Sequence, residues 1–396
     1  MQAVASSANQ RVMSIILVIC AGHFINDAMQ SLLPSIYPIL HDKYALSFLQ
    51  VGLITATYQI TGSLLQPIVG FYGDKTPMPI ALPISFVFSL LGILSLAFAQ
   101  NYSLFILGSA LLGLGSSLFH PEAARVTRTA SGGRYGFAQS VFQIGGNTGT
   151  AVGPLIAALF ISRQQQLVWI APFAVIGAML LKYASNWYIG QLKQKTKRTE
   201  TTATHTLSKS AIATSLAILI GLMFAKYVYL STFQNYYTLY VIEKFGVSVK
   251  QAQLMLFLFL SGVAIGTIFG GPIGDKIGAR VVIWISILGV LPFTLILPFV
   301  GLIPTAILSV IIGAILASAF PAIVVYAQEL IPGKVGTIGG AMYGLSFGIA
   351  ALSSAVMGYI GDYIGLHKLF ILCSFLPILG ILAIFLPNFE DKNIIT

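Results

Sequence analysis

The chain has 396 residues, 57% of them hydrophobic and 8% charged, and its 21 basic and 11 acidic side chains give a formal charge of +10. A soluble domain carries about 25% charged residues, so this chain cannot cover a water-facing surface of its size. That excludes a soluble enzyme, a disordered regulator and a disulfide scaffold. Cys20 and Cys373 lie in apolar runs and read as small buried side chains. The basic excess does not point to nucleic acid: it concentrates in the polar segment 191–209, and the remaining charges scatter singly between apolar runs. The solvent of this protein is a lipid bilayer.

A helix needs about 20 apolar residues to cross the hydrocarbon core. Twelve such runs are predicted, at 12–40, 48–72, 80–99, 103–127, 136–161, 167–189, 211–241, 250–273, 281–300, 303–328, 335–361 and 366–387. The alternation of a membrane β-barrel is absent, so the expected fold class is all-α integral membrane.

A charge inside a span costs about 2.5–3.5 kcal/mol on insertion scales and marks a functional position by default. Span one carries Asp27 near its middle, with Asn26 adjacent and His23 one turn earlier. A carboxyl and an imidazole on one helical face form a pair able to relay protons. Span two ends in Gly70-Phe71-Tyr72-Gly73-Asp74-Lys75. Span four holds His120-Pro121-Glu122, with Arg125 one turn on and able to pair with Glu122. Glu122 and His120 are further proton candidates, and Arg125 is an anion candidate. Span five offers Gln143 and Asn147, then Gly149-x-x-x-Gly153-Pro154, which by itself reads equally as small-residue helix packing. Lys182 near the inner end of span six can snorkel to the interface.

Lys226 lies midway along span seven, too deep to snorkel. A buried lysine needs a partner or an anionic ligand. Tyr229, Tyr236 and Tyr240 follow on one helical face, as lining of a polar pathway or as part of an interfacial aromatic belt. Span eight ends in Gly271-Pro272-Ile273-Gly274-Asp275-Lys276, with Gly278 and Arg280 after it. Span ten closes on Tyr326, Gln328 and Glu329.

The chain is written twice. Both G-x-x-G-D-K segments lie 201 residues apart, Gly133–Gly136 recurs at Gly333–Gly336, and Ser117-Leu118-Phe119 recurs at Ser318-Ala319-Phe320. Two pseudo-symmetric six-helix bundles follow, at 1–189 and 211–396, joined by a cytoplasmic linker at 190–210. Lys226 is then the near counterpart of Asp27. Placing the N-terminus inside puts 13 basic residues on the cytoplasmic side and 5 opposite, so both termini are expected in the cytoplasm. Repeated halves of this kind place a substrate site at midplane and work by alternating access.

The two G-x-x-G-D-K loops resemble the G-x-x-x-D-[RK]-x-G-[RK] loop of the major facilitator superfamily. The second copy, through Arg280, is nearly complete; the first departs after Lys75 into Thr76-Pro77-Met78-Pro79. The resemblance implies a gating role for Asp74, Lys75, Asp275, Lys276 and Arg280. The Gly149, Gly153 and Pro154 core resembles the motif of the superfamily's proton-coupled drug antiporters, with Ala157-Ala158 where a distal glycine pair is usual. Across nearly the whole chain the sequence is similar to bacterial fosmidomycin-resistance efflux proteins, most distinctively in His23-Phe24-Ile25-Asn26-Asp27 and Phe119-His120-Pro121-Glu122. That implies an inner-membrane exporter of a small anionic phosphonate drug, coupled to protons, with spans one, four, seven and ten lining the cavity. It implies a monomer without cofactor, metal or nucleic-acid partner. Uptake of an anionic nutrient such as an organophosphate by proton symport fits the same architecture. An intramembrane enzyme lacks any comparable ligand spacing such as H-E-x-x-H.

Overall fold

In the computed structural model, residues 2–131, 135–192, 208–331 and 335–387 are described. They form helices throughout, with no strand among them. The elements are α1 (Gln2–Ser35), α2 (Tyr37–Tyr44), α3 (Phe48–Ser63), α4 (Leu65–Lys75), α5 (Ala81–Phe98), α6 (Tyr102–Ala130), α7 (Tyr135–Phe160), α8 (Ala171–Leu192), α9 (Lys209–Phe245), α10 (Val249–Ile277), α11 (Ala279–Leu288), α12 (Leu291–Ile296), α13 (Leu302–Leu330), α14 (Val335–Ile364) and α15 (Leu366–Ser374). Short 3₁₀ segments precede α8 and follow α12 and α15.

Helix covers every expected span, but ten stretches among the described residues are long and apolar enough to cross a membrane by those criteria alone. The two that fall short are spans two and five. Span two breaks at Leu64 into α3 and α4, with Pro67 in the first turn of α4, where its missing donor is tolerated. Span five, α7, is diluted by Gln143, Asn147, two threonines and five glycines. Gly145, Gly146, Gly149 and Gly153 serve contacts inside the protein rather than lipid.

The chain divides into two compact units. The first comprises Met1–Leu46 and Leu53–Arg198, the second Ser47–Gly52 and Thr199–Thr396. Each is held by a glycine seam. In the first, a Cβ on Gly145, Gly149 or Gly153 would collide with the carbonyl oxygens of Cys20, Phe24 and Ala28 respectively. Both rows advance by four residues, so α7 lies directly on the backbone of α1. In the second unit, Gly262 and Gly266 of α10 meet the carbonyls of Val310 and Ala314 of α13, and Gly270 meets Ser318. Such contact is a route to tight helix association in lipid, where burial of apolar surface offers no advantage between helices.

Contacts at helix ends repeat as well. Lys43 donates to Gln164 Oε1 at 3.0 Å, and Gln164 Nε2 donates to the carbonyls of Leu96 and Ala99 at 2.8 and 2.9 Å. Lys244, 201 residues on from Lys43, donates directly to the carbonyls of Pro298 and Val300 at 2.7 and 2.9 Å. Lys244 thus caps helix-terminal carbonyls directly, whereas Lys43 does so only through Gln164, whose amide makes the carbonyl bonds. In the sequence both are simply basic residues between apolar runs.

The two G-x-x-G-D-K loops differ in backbone. Gly278 sits at φ 90° and turns the chain sharply from α10 into α11. The equivalent position in the first copy is Pro77, which cannot adopt that angle; there Thr76 ends α4 at φ −134°. The departure noted in the sequence is therefore a change of turn. The segments 193–207 and 388–396, and the Gly133–Arg134 and Gly333–Lys334 matches, lie outside the described residues, as do the side chains of Arg11, Asp74, Asp275, Gln328 and Glu329.

Candidate functional site

The first unit gathers His23, Asn26 and Asp27 from α1, His120 from α6 and Phe142 from α7. His23 Nδ1 lies 2.8 Å from the Phe142 carbonyl oxygen. A carbonyl only accepts, so Nδ1 carries the proton and donates. That leaves Nε2 facing Asp27 Oδ2 at 3.3 Å. His120 has a similar arrangement: Nδ1 donates to the Ser116 carbonyl at 3.0 Å, with the Ser116 hydroxyl 3.2 Å from the same nitrogen, and Nε2 faces Asp27 Oδ1 at 3.8 Å. Asn26 Nδ2 donates to Asp27 Oδ1 at 2.9 Å. The His23 ring stacks on Phe142 with centroids 4.0 Å apart and meets the edge of His120 at 5.1 Å. The His23 side chain is 5% exposed, Asp27 15% and His120 26%. The cluster is thus half-enclosed, with His120 its most open member.

The seam explains why this cluster can exist. Gly146 sits against it, and a Cβ there would strike the His23 ring and Asp27 Oδ2. The Gly149 and Gly153 motif is the packing edge that holds α1 and α7 at this distance. Asn147 Nδ2 is buried without an acceptor, as is Asn26 Oδ1 without a donor, among the described residues. Gln143 is half-buried on the same helix.

Glu122 and Arg125 form a separate group. Glu122 is fully buried and pairs through Oε1 with Arg125 Nη1, while Arg125 Nη2 donates to the Gly70 carbonyl. A Cβ on Gly73 would meet both Arg125 and Glu122. The two glycines of the first G-x-x-G-D-K segment are therefore the receiving surface for this ion pair. The sequence separated them into a loop motif and a span-four candidate; only the fold joins them. Lys75 of the same segment lies over the Phe71 ring at 4.2 Å.

In the second unit Lys226 is 2% exposed. Its Nζ lies 5.2 Å from the centroids of both the Tyr227 and Phe320 rings, which meet edge to face. Among the described residues it makes no hydrogen bond and no ion pair. Two cation–π contacts contribute about 0.5–2 kcal/mol each, against an effective penalty of several kcal/mol for burying the ion. The lysine is left short of a counter-charge.

The span-seven tyrosines are not an outer belt. Tyr229, Tyr236, Tyr237 and Tyr240 are all buried. Tyr236 donates its hydroxyl to the Ser354 carbonyl at 2.5 Å, Tyr229 packs on Phe233 at 5.2 Å, and Tyr240 stacks on Phe370 at 4.0 Å. They face neighbouring helices because an extended aromatic stack through Phe233, Phe259 and Phe370 receives them. Lys276 is exposed, Arg280 donates to the Ile384 carbonyl at 2.6 Å, and Lys182 is exposed on the outside of its bundle.

These features define a multi-pass membrane transporter of small substrates. The chain matches the Major Facilitator Superfamily model over residues 19–240 and 219–394, and it belongs to that family. It is 47% identical to the fosmidomycin resistance protein of Escherichia coli strain K12, over 99% of this chain and 97% of that one. It is 42% identical to the uncharacterized MFS-type transporter YfnC of Bacillus subtilis strain 168, over 95% and 93% of the two chains. Among solved structures, the nucleoside transporter NupG superposes with a TM-score of 0.75 at 13% identity, covering 96% of this chain and 100% of that one. An inward-facing, occupied bacterial homologue of the lysosomal transporter Spinster gives 0.72 at 13%, covering 94% of each. At that identity the likeness is one of fold. The protein is a secondary transporter.

Proposed function

We propose that this transporter expels a small anionic drug of the phosphonate type in exchange for protons, by alternating access. The observation that carries the reading is Lys226, a buried cation with no acceptor among the described residues. An anion is the ligand that relieves it. The 47% identity to a fosmidomycin resistance protein supplies the chemical class. Protons are held in the first unit by Asp27, His23 and His120, whose Asp27-facing atoms gain or lose hydrogen without any change of backbone. Glu122 and Arg125, engaged with each other and with Gly70, brace span four on span two. Asn26, Gln143 and Asn147 offer neutral polar contacts to substrate; Tyr229 and Tyr236 act by packing around span seven. Exchange is obligatory when proton and anion each stabilise a different access state.

The protein works as a monomer in the bacterial inner membrane with both termini cytoplasmic, as two bundles at 1–189 and 211–396 joined by 190–210. The charge distribution between spans supports that orientation. In cells lacking their own exporter, Lys226→Ala abolishes fosmidomycin resistance with membrane expression intact; unchanged resistance overturns the assignment. In proteoliposomes, a drug gradient drives protons in the opposite direction. Movement of protons with the drug would mean symport.

A further inference from the structure

The cluster around Asp27 has a property that proton exchange does not use up. Each histidine donates its Nδ1–H to a backbone carbonyl, His23 to Phe142 and His120 to Ser116. This fixes which nitrogen is left: both Nε2 atoms point at the Asp27 carboxylate, one at each oxygen. When the imidazoles are neutral, three electron-pair donors converge with no hydrogen between them. The ligand atoms of all three residues lie within 4.8 Å of one another. Such a convergence is repulsive until a cation enters it.

Distances and donor types select the cation. A tetrahedral centre with bonds of about 2.0–2.1 Å holds its donors about 3.3–3.4 Å apart. The 3.3 and 3.8 Å separations run to different oxygens of Asp27, and one ligand atom from each residue lies within 4.8 Å of the others, so the ion draws the donors together by up to about an ångström, chiefly by rotation of the more open His120 ring and of the carboxylate. Two imidazoles and one carboxylate suit a borderline ion such as Zn²⁺, whereas Mg²⁺ and Ca²⁺ take oxygen ligands. The carbonyl bonds at both Nδ1 atoms are the outer contacts that orient histidine ligands in metal sites. Asn26 supports the carboxylate in the same way at 2.9 Å. Three protein ligands leave a fourth position for water, on the side where Asp27 and His120 retain exposure.

We propose that His23, Asp27 and His120 form a binding site for one divalent transition-metal ion, with Zn²⁺ as its best-fitting occupant. The site lies wholly within the first unit and does not depend on the export reading. An ion held there excludes the protons those same atoms would take, so occupancy is inhibitory in a proton-coupled carrier.

The test is direct binding by the purified full-length protein in detergent, with no transport measured. Zn²⁺ titrated calorimetrically binds one per chain, and Co²⁺ gives the intense visible absorption of a four-coordinate centre. Loss of outer-shell partners costs about 10–100-fold in affinity, so removing a ligand by Asp27→Asn or His120→Gln weakens binding at least tenfold. His41→Gln with His367→Gln, two histidines elsewhere in the chain, leaves it unchanged. His120→Cys retains a ligand and adds a sulfur-to-cobalt charge-transfer band, which keeps the proposal testable if the Gln variant does not fold. Stoichiometric binding that survives both Asp27→Asn and His120→Gln overturns the site, as does binding lost in the His41/His367 pair or absent from the wild type. Either failure leaves the Lys226 assignment standing.

Discussion

Two charges inside spans at nearly corresponding places in the repeat, half-buried Asp27 and buried Lys226, have been treated in opposite ways by their surroundings. Asp27 sits in a network: two imidazoles face it, an amide donates to it, and a glycine is kept bare to leave it room. Lys226 has aromatic faces and no acceptor among the described residues. On the proposed reading the first holds small cations, and the second is the position that an anionic substrate would satisfy. Two halves that share a sequence repeat thus differ in chemistry at this position of it.

The largest expected effect lies outside both. Arg125→Ala removes the cation paired with buried Glu122, and breaking a buried pair in this way costs about 3–5 kcal/mol. Thermal unfolding in detergent should show a large loss, and a melting temperature near wild type would break the view that this pair is a brace. Next comes the seam that serves the Asp27 network. Gly149→Val forces a branched side chain into the Phe24 carbonyl, where overpacking costs about 1–3 kcal/mol. The same measurement on Gly190→Val, where a Cβ meets nothing within 4 Å, provides the contrast. Lys226→Met sharpens the comparison most. It removes an uncompensated ion and keeps the volume, so stability should hold or rise while fosmidomycin resistance is lost. A marked fall in melting temperature would show that the lysine has a partner that stabilises it. The smallest effect is expected at Lys182, exposed on the bundle surface: Lys182→Gln should change neither melting nor resistance.

The sequence exposed the candidates for these roles in uneven measure. Asp27, His23 and Lys226 were legible because charge in a lipid-soluble helix is rare and costly. That His120 joins Asp27 was not, since α1 and α6 are far apart in the chain and only packing fixes which nitrogen faces which oxygen. The Glu122 and Arg125 pair was legible from its i, i+3 spacing, but its seat on Gly70 and Gly73 was not. The tyrosines of span seven were ambiguous for a physical reason: Tyr suits both an interface belt and a buried stack. Their burial was decided by Phe233, Phe259 and Phe370. Lys43 and Lys244 read as ordinary loop charges because their acceptors, the Gln164 side chain and the Pro298 carbonyl, are 121 and 54 residues away.

Composition alone determined that lipid is the solvent, since so few charges cannot hydrate this much chain. Hydropathy and the 201-residue offset determined a doubled helical plan, because spans must be apolar and helical wherever backbone has no water to bond. Tertiary structure decided what the rare polar groups do. A charge in lipid is either satisfied or left waiting, and that depends on which backbone carbonyls, imidazoles and rings are brought within about 3–5 Å, the range over which hydrogen bonds and ring contacts act. Sequence counts the charges; packing decides that Asp27 is surrounded and Lys226 is not.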